Sequence, residues 1–458
     1  MKEVEPRTVS AHASAMKAQH HPADLDRAST GSAAARSITE EGAAHRPLIV
    51  SWNITGACHL RCGHCYLDAR GRWPDELTTE EGLALIDEMA EAGTELLILT
   101  GGEPLLRPDL PVLARHAADA GIGVVLGTTG MQIDRPKARL LRESGVAAAG
   151  ISIDSIDPAR HDEFRGVPGA WQRAVAGMEA CREEGLEVLV HTTALQMNVE
   201  EIPALIAFAH ERGARAFHLF FLVCTGRGER LTDLAPAQYE VLLSQLLDAQ
   251  ETYPNMMVRA RCAPYIGRMA AQRGLPPVSN AGCLAGTSYC RVTPVGEVTA
   301  CPYLPDSAGN VRARSFTKIW ESAPSLTRFR AQPLQLGGKC GACAFSQGPE
   351  PICVGCRARA LALQDDAMAA DPWCLHEPST ERDTQAAGTA DGRETGEPAA
   401  VPWTREAEDR LERIPFFIRG RVRRSAEAHV RQRGLARVTP EVLAYLRERV
   451  SGRHGRSE

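Results

Sequence analysis

The sequence predicts an α/β fold with a parallel sheet, followed by a cysteine-rich domain and a small all-α module, and three observations carry that reading. From Leu48 to Val223, apolar runs of strand length alternate with stretches of helical period, the pattern that builds parallel sheets with right-handed crossovers. Eight of the 14 cysteines crowd between Cys283 and Cys374, where Gly and Pro are dense. After a stretch rich in Pro, Gly, Thr and Glu, residues 403–456 return to a helical pattern and hold 14 Arg against 7 acidic residues, a local balance of +7.

At 458 residues the chain exceeds the usual limit of one core. The expected organisation is a disordered leader over 1–45, an α/β body over 46–270, a cysteine-rich domain over 271–376, a linker over 377–401 and a helical domain over 402–451. A net charge of −5 and a pI near 6.3 give no global field toward nucleic acid or an anionic membrane. No apolar run approaches the roughly 20 residues of a membrane span. The leader lacks the apolar core of a signal peptide, and its His20 and His21 read as solvated tail. A cytoplasmic protein with reduced thiols is expected.

Taken in order, Leu48–Trp52 is a short apolar strand. Helix Thr79–Ala92 has Thr78 or Thr79 as its cap and Glu80 and Glu81 in its first turn, where the helix dipole favours negative charge. Strand Glu95–Thr100 leads into Gly101-Gly102-Glu103-Pro104. Further strands are expected at Gly123–Gly127, Ala147–Asp154, Glu187–Thr193 and Ala216–Val223, with helices Asp109–Ala120, Pro136–Ser144, Ala170–Glu184 and Val199–Arg212 between them. That makes six parallel strands, ligands being expected at their C-terminal ends. Periodicity alone fits a partial barrel and a doubly wound sheet equally well. Helix Leu234–Thr252 and a short strand centred on Val258 follow.

Between the first strand and the first helix lies TGACHLRCGHCYLDA, with Cys58, Cys62 and Cys65 on one short loop. Three soft thiolates can bind three corners of an iron-sulfur cube and leave the fourth iron open. A structural zinc would want four ligands, and a disulfide framework an even number of cysteines in an oxidising compartment. The spacing C-x3-C-x2-C, with His64 before the third cysteine, resembles that of the radical S-adenosylmethionine (radical SAM) family. The resemblance implies a partial (β/α)6 barrel, a 4Fe-4S cluster whose open iron chelates SAM, and a 5′-deoxyadenosyl radical that takes a hydrogen atom from the substrate. It implies SAM or cluster contacts from His64, Tyr66 and Gly101-Gly102-Glu103-Pro104, the glycines admitting SAM and the carboxylate and carbonyls meeting its ammonium. Thr129, Ser152 and Asp154 would face the ribose and methionine carboxylate, with Asn198 and Arg227 as further candidates. Without the resemblance, Ser152 and Asp154 serve equally well as helix caps.

In the second cysteine field, Cys283 precedes Gly296 and Cys301, then come Cys340-x2-Cys343, Cys353-x2-Cys356 and Cys374. This order resembles the SPASM extension of radical SAM enzymes, which holds up to two auxiliary 4Fe-4S clusters. By the family's interleaved scheme Cys283, Cys290, Cys301 and Cys356 would hold one cluster, and Cys340, Cys343, Cys353 and Cys374 the other. Nine residues stand between Cys343 and Cys353 where the family has five, and Ser346 to Pro351 look like an insertion. Zinc is the rival for C-x2-C pairs. Cys181 reads as core, and Cys224 and Cys262 as rim residues near a strand end.

The C-terminal wording RIPFFIRGRVRRSAEAHVRQRG resembles the small C-terminal domain of light-independent protochlorophyllide reductase subunits, a tetrapyrrole enzyme. The phrases FHLFFLVCTGRG, RARCAPYIGR and CVGCRARA resemble the haem and haem d1 biosynthesis group of radical SAM/SPASM proteins. Together they imply a tetrapyrrole substrate held by Phe220, Phe221, Leu222, Arg227, Arg259 and Arg261, with Phe416, Phe417 and Arg419 on a lid, and an electron donor such as ferredoxin or flavodoxin. A SPASM maturase acting on a peptide, protein or metallocofactor is the alternative, and a non-catalytic scaffold would leave the open iron without purpose. No nucleic acid is expected as a partner.

Overall fold

The computed structural model describes residues 45–231, 234–278, 282–347, 351–378, 401–412, 416–433 and 435–450. The expected leader and linker fall almost wholly outside these residues, as do 348–350 of the expected insertion.

Ten strands form one sheet: β1 (Ile49–Thr55), β2 (Leu96–Gly101), β3 (Gly123–Thr128), β4 (Val146–Ser152), β5 (Glu187–Ala194), β6 (Ala216–Phe221), β7 (Met257–Arg261), β8 (Tyr289–Val292), β9 (Glu297–Cys301) and β10 (Leu304–Asn310). Their order is β10-β9-β8-β1-β2-β3-β4-β5-β6-β7. Strands β1 to β7 run parallel, β8 joins β1 in parallel, and β9 and β10 return antiparallel. The six expected strands are therefore extended at both edges. Helices α1 (Thr79–Glu91), α2 (Leu110–Asp119), α3 (Arg135–Glu143), α4 (Pro158–Arg165), α5 (Ala170–Glu183), α6 (Ile202–Glu211) and α7 (Pro236–Thr252) alternate with the strands. Thr78 caps α1 in a box, accepting from the Glu81 amide while Glu81 accepts from its own. Helix α4 was not expected from the sequence, although Asp157 caps it and Pro158 opens it. In the C-terminal unit a basic helix runs over Phe416–Gln432.

Side chains alternate between the two faces of a strand. The outer face packs under the helices with Val50, Trp52, Ile54, Leu97, Leu99 and Leu126, all fully buried. The inner face rises in layers. Its floor is apolar: Val125, Ala148, Leu189 and Ala216, with Leu96 and Met257 against them. Gly127 and Gly150 stand level with Leu189 and Ala216; above them come Ser152, His191, His218 and Arg259, then Thr193, Phe220 and Arg261, each set aligned by strand register.

Candidate active site

The cysteine loop leaves the sheet at the C-terminal end of β1, and Glu76 pins its base. This buried carboxylate accepts from the Thr55 hydroxyl (3.0 Å), the Gly56 amide (2.7 Å) and the Trp73 amide (2.9 Å). Each of the three loop thiols receives one hydrogen bond. Cys58 accepts from the Leu60 amide (3.4 Å), Cys65 from the Ala69 amide (3.5 Å) and Cys62 from the Arg165 guanidinium (3.6 Å). Hydrogen bonds to ligating sulfurs are one lever on a cluster's potential. Arg227 clamps the loop, donating to the Cys62 carbonyl (2.9 Å) and to Asp68 (2.8 Å). His64 stacks on Phe164 at 4.7 Å, and burial, followed by Arg165, lowers its pKa to about 4. The Tyr66 hydroxyl accepts from Asn53, and its ring meets Tyr303 edge-on at 5.4 Å.

Arg165 in turn is held by Asp154, wholly buried beyond the end of β4 (2.7 Å, Nε to Oδ2). Burial would raise the Asp154 carboxyl, but Arg165, then His64, His161 and the Thr193 amide, keep it below its ordinary value. Its other oxygen accepts from that amide at 2.9 Å. Asp154, expected to meet SAM, has each oxygen engaged by the protein, one of them on the Arg165 that reaches Cys62. Asn198 donates to the Asp154 and Thr193 carbonyls and accepts from the Leu195 amide, tying the ends of β4 and β5 together.

Gly101-Gly102-Glu103 lies against the same loop, the Gly102 amide donating to the Thr55 carbonyl (2.9 Å) and the Glu103 amide to the Ala57 carbonyl (2.7 Å). A Cβ on Gly101, where φ is +140°, would fall 2.4 Å from the Thr55 oxygen. One on Gly102 would fall 2.2 Å from the Ala57 oxygen and 3.0 Å from Cys58 Cβ. Glycines expected to admit SAM thus have a nearer duty, which is to let this turn seat against the cysteine loop. The Glu103 carboxylate is fully enclosed and accepts from the Leu105 amide, the Thr128 hydroxyl, and both the amide and hydroxyl of Thr129. Pro104 opens a short turn after it, and Ser152 reaches the Thr128 carbonyl at 3.5 Å.

On the inner face His191 and His218 stack with centroids 5.1 Å apart, and Phe220 meets His191 edge-on at 5.3 Å. Burial, with Arg261 next, lowers the His191 pKa to about 3 and puts His218 well below its ordinary value. Both rings are neutral, and the buried Nε2 of each has no hydrogen-bond partner among the described residues. A Cβ on Gly150 would fall 2.2 Å from the His191 ring, so that ring rests directly on the β4 backbone.

In the second field Cys340, Cys343, Cys353 and Cys374 line one cavity, with Arg268, Ser346 and His376. Cys340 accepts from the Asp371 amide and Cys353 from the Gly355 amide, each at 3.4 Å. Cys283, Cys301 and Cys356 gather elsewhere. Burial pushes Cys301 well above its ordinary value, and Cys262, Cys283 and Cys356 push it further. The expectation for Cys290 needs correcting. Register pairs Arg291 with Thr299 and Val292 with Val298, so Cys290 shares the outer face with Val292 and Val298 while Cys301 points to the inner one. Cys290 is fully buried in the main core, with Arg330 as its charged neighbour.

The radical SAM superfamily profile matches residues 52–209. Over 345 residues the chain is 39% identical to the AdoMet-dependent heme synthase of Methanosarcina barkeri, covering 72% of this chain and 97% of that protein. The chain belongs to the radical SAM superfamily. Within that superfamily it is also 32% identical to the pre-heme d1 synthase of Dinoroseobacter shibae (71% of this chain, 85% of that one) and 28% identical to a PqqA peptide cyclase of Xanthomonas axonopodis (72% and 88%). The profile of the SPASM iron-sulfur cluster-binding domain matches residues 283–344, and that of the proto-chlorophyllide reductase 57 kD subunit matches 403–447. In fold it is similar to Streptococcus suis SuiB bound to S-adenosylmethionine, with a TM-score of 0.59 over 72% of this chain and 78% of that one at 18% identity.

A radical SAM enzyme of this kind carries 4Fe-4S clusters and uses SAM, and the donor sets fit them. Buried thiols that raise one another's pKa are poorly placed alone and well placed around a cationic cluster. The four thiols of the second set line a cavity, and among the described residues no three ligating groups converge as around a single ion. Sequence reasoning missed Glu76, Phe164, Arg165 and the two lumen histidines. For Arg165 the Asp157-Pro158 helix start was an available signal; for Glu76 there was none, because Thr55 and Gly56, about twenty residues back, are brought to it by the fold.

Proposed function

We propose that this radical SAM enzyme takes a hydrogen atom from a carboxyalkyl side chain of an iron tetrapyrrole, in haem or haem d1-type biosynthesis. Loss of the carboxylate as carbon dioxide then leaves a double bond, with one electron passed to an acceptor. The observation that carries this reading is the inner face of the barrel. An apolar floor suits a flat macrocycle, Arg259 and Arg261 supply guanidinium groups that bind carboxylates bidentately, and the stacked, neutral rings of His191 and His218 stand above that floor in register with Arg259. When bound, the first cluster supplies the electron that splits SAM. The chain's own part is to hold the three loop sulfurs by hydrogen bonds, seat the GGE turn against them, and present the substrate beneath. The names of the relatives in haem and haem d1 synthesis support the substrate class. Ferredoxin or flavodoxin is the proposed electron donor, and the helical unit around 403–447 the proposed lid; the side chains of Phe416 and Phe417 lie outside the described residues.

The test is a titration of the anaerobically reconstituted protein with iron coproporphyrin and sirohaem-derived tetrapyrroles, followed by Soret absorbance. Binding below tens of micromolar, weakened about tenfold by deleting residues 403–458, is the expected result; tenfold is about 1.4 kcal/mol. If no tetrapyrrole binds the intact protein, peptide modification, the activity named for the cyclase relative, becomes the better reading.

A further inference from the structure

We propose that Cys262, at the end of the last parallel barrel strand, is the fourth ligand of the first auxiliary cluster together with Cys283, Cys301 and Cys356. The resemblance to the SPASM scheme points to Cys290 for that place, but the sheet forbids it. Cys290 and Cys301 stand on neighbouring antiparallel strands and project from opposite faces, so no single cube reaches both without turning a strand over. Cys290 fills the outer-face core beside Val50, its register partner in β1.

Cys262 meets the requirements that Cys290 fails. It follows Arg261 directly, and its backbone takes φ = +61°, a left-handed conformation uncommon for a residue with a side chain. The carbonyl of Cys262 accepts from Arg359 Nη2 at 2.9 Å. Arg359 stands in the helix Arg357–Gln364, three residues after Cys356, and pairs with the fully buried Asp371 at 3.2 Å. The same Asp371 oxygen accepts from the Cys356 amide at 2.7 Å. One buried guanidinium–carboxylate pair therefore fixes the backbones of Cys262 and Cys356 relative to each other, as supporting groups around a metal site do.

The assignment has a functional corollary. A cluster anchored on Cys262 sits one residue from Arg261 of the proposed substrate lumen, and Cys301 lies two residues from Tyr303, whose ring touches Tyr66 beside Cys65. The cluster would then adjoin both the substrate and the SAM-cleaving loop. This inference rests on the auxiliary-cluster domain and not on the identity of the substrate.

The test uses the full-length chain, reconstituted anaerobically with iron and sulfide, carrying Cys58, Cys62 and Cys65 all changed to Ala so that only auxiliary clusters remain, about eight irons per chain. In that background C290S should keep all of the iron and an unchanged EPR spectrum of the reduced protein. C262A should lose about half the iron, and C262D, which retains a ligating oxygen, should keep more iron while shifting the g values of one cluster only. Loss of about half the iron from C290S, or unchanged iron and spectrum in both Cys262 variants, overturns the assignment. Should the Cys262 variants not fold, the C290S result still decides: full iron with an unchanged EPR spectrum shows that position 290 ligates no cluster, and lost iron or shifted g values refute the proposal.

Discussion

The loop at Cys58–Cys65 and the field from Cys283 to Cys374 use the same ligand chemistry and differ in how the chain brings the ligands together. Three thiols within eight residues need no fold to meet, so their spacing nearly determines their geometry. In the later field, thiols come from strand ends, a helix start and two tight turns. There, which face of a strand a cysteine occupies matters more than how far along the chain it lies, as Cys290 and Cys301 show. Spacing thus says more about thiols that share one loop than about thiols brought together across a sheet.

The largest effect is expected at the first loop. Changing Cys58, Cys62 and Cys65 together to Ala should remove about four irons per chain and abolish reductive cleavage of SAM to 5′-deoxyadenosine, while the auxiliary iron stays. Iron analysis with product chromatography checks both. Next in size is Arg165→Ala, which leaves Asp154 as an unpaired buried carboxylate and should cost about 3–5 kcal/mol of stability. Arg165→Ala with Asp154→Leu should recover much of that in denaturant unfolding, yet leave the first cluster's potential shifted, because the hydrogen bond to Cys62 is still missing.

Gly102→Val sharpens the contrast between the SAM turn and the cluster loop. Its Cβ would press on Ala57 and Cys58, so iron in the first cluster and SAM affinity should fall together; a loss of SAM affinity with iron intact would mean the turn serves SAM alone. A smaller effect concerns pH. His191 and His218 have folded pKa values depressed below the ordinary value near 6.5, so the unfolded chain binds protons that the folded one does not. Their contribution is whole above about 6.5 and is lost as pH falls, by up to about 1.4 kcal/mol per pH unit for each ring. Denaturant unfolding at pH 5.5 and 7.5 should show that slope reduced in His191→Phe.

Much of the fold was legible because apolar runs and capping signals such as Thr78 with Glu81 are local. Strands β8 to β10 were not, since short strands among Gly, Pro and Cys lose the alternation that announces them. In the site, the three loop cysteines and the GGEP turn could be read from motif and spacing. The duties of Asp154, Glu103 and the lumen histidines could not, because each depends on a partner more than 20 residues away: Asp154 with Thr193, Glu103 with Thr128, His191 with His218.

The most direct measurement of the central claim is a single-turnover reaction of reconstituted protein with SAM, a low-potential reductant, an electron acceptor and iron coproporphyrin, analysed by mass spectrometry. The expected result is 5′-deoxyadenosine formed in step with a tetrapyrrole product that has lost carbon dioxide and two hydrogens from a propionate, and a product yield that collapses in His218→Ala while SAM cleavage without substrate is unchanged. Deoxyadenosine formed at the same rate with and without any tetrapyrrole, and no change in the mass of the macrocycle, would contradict it.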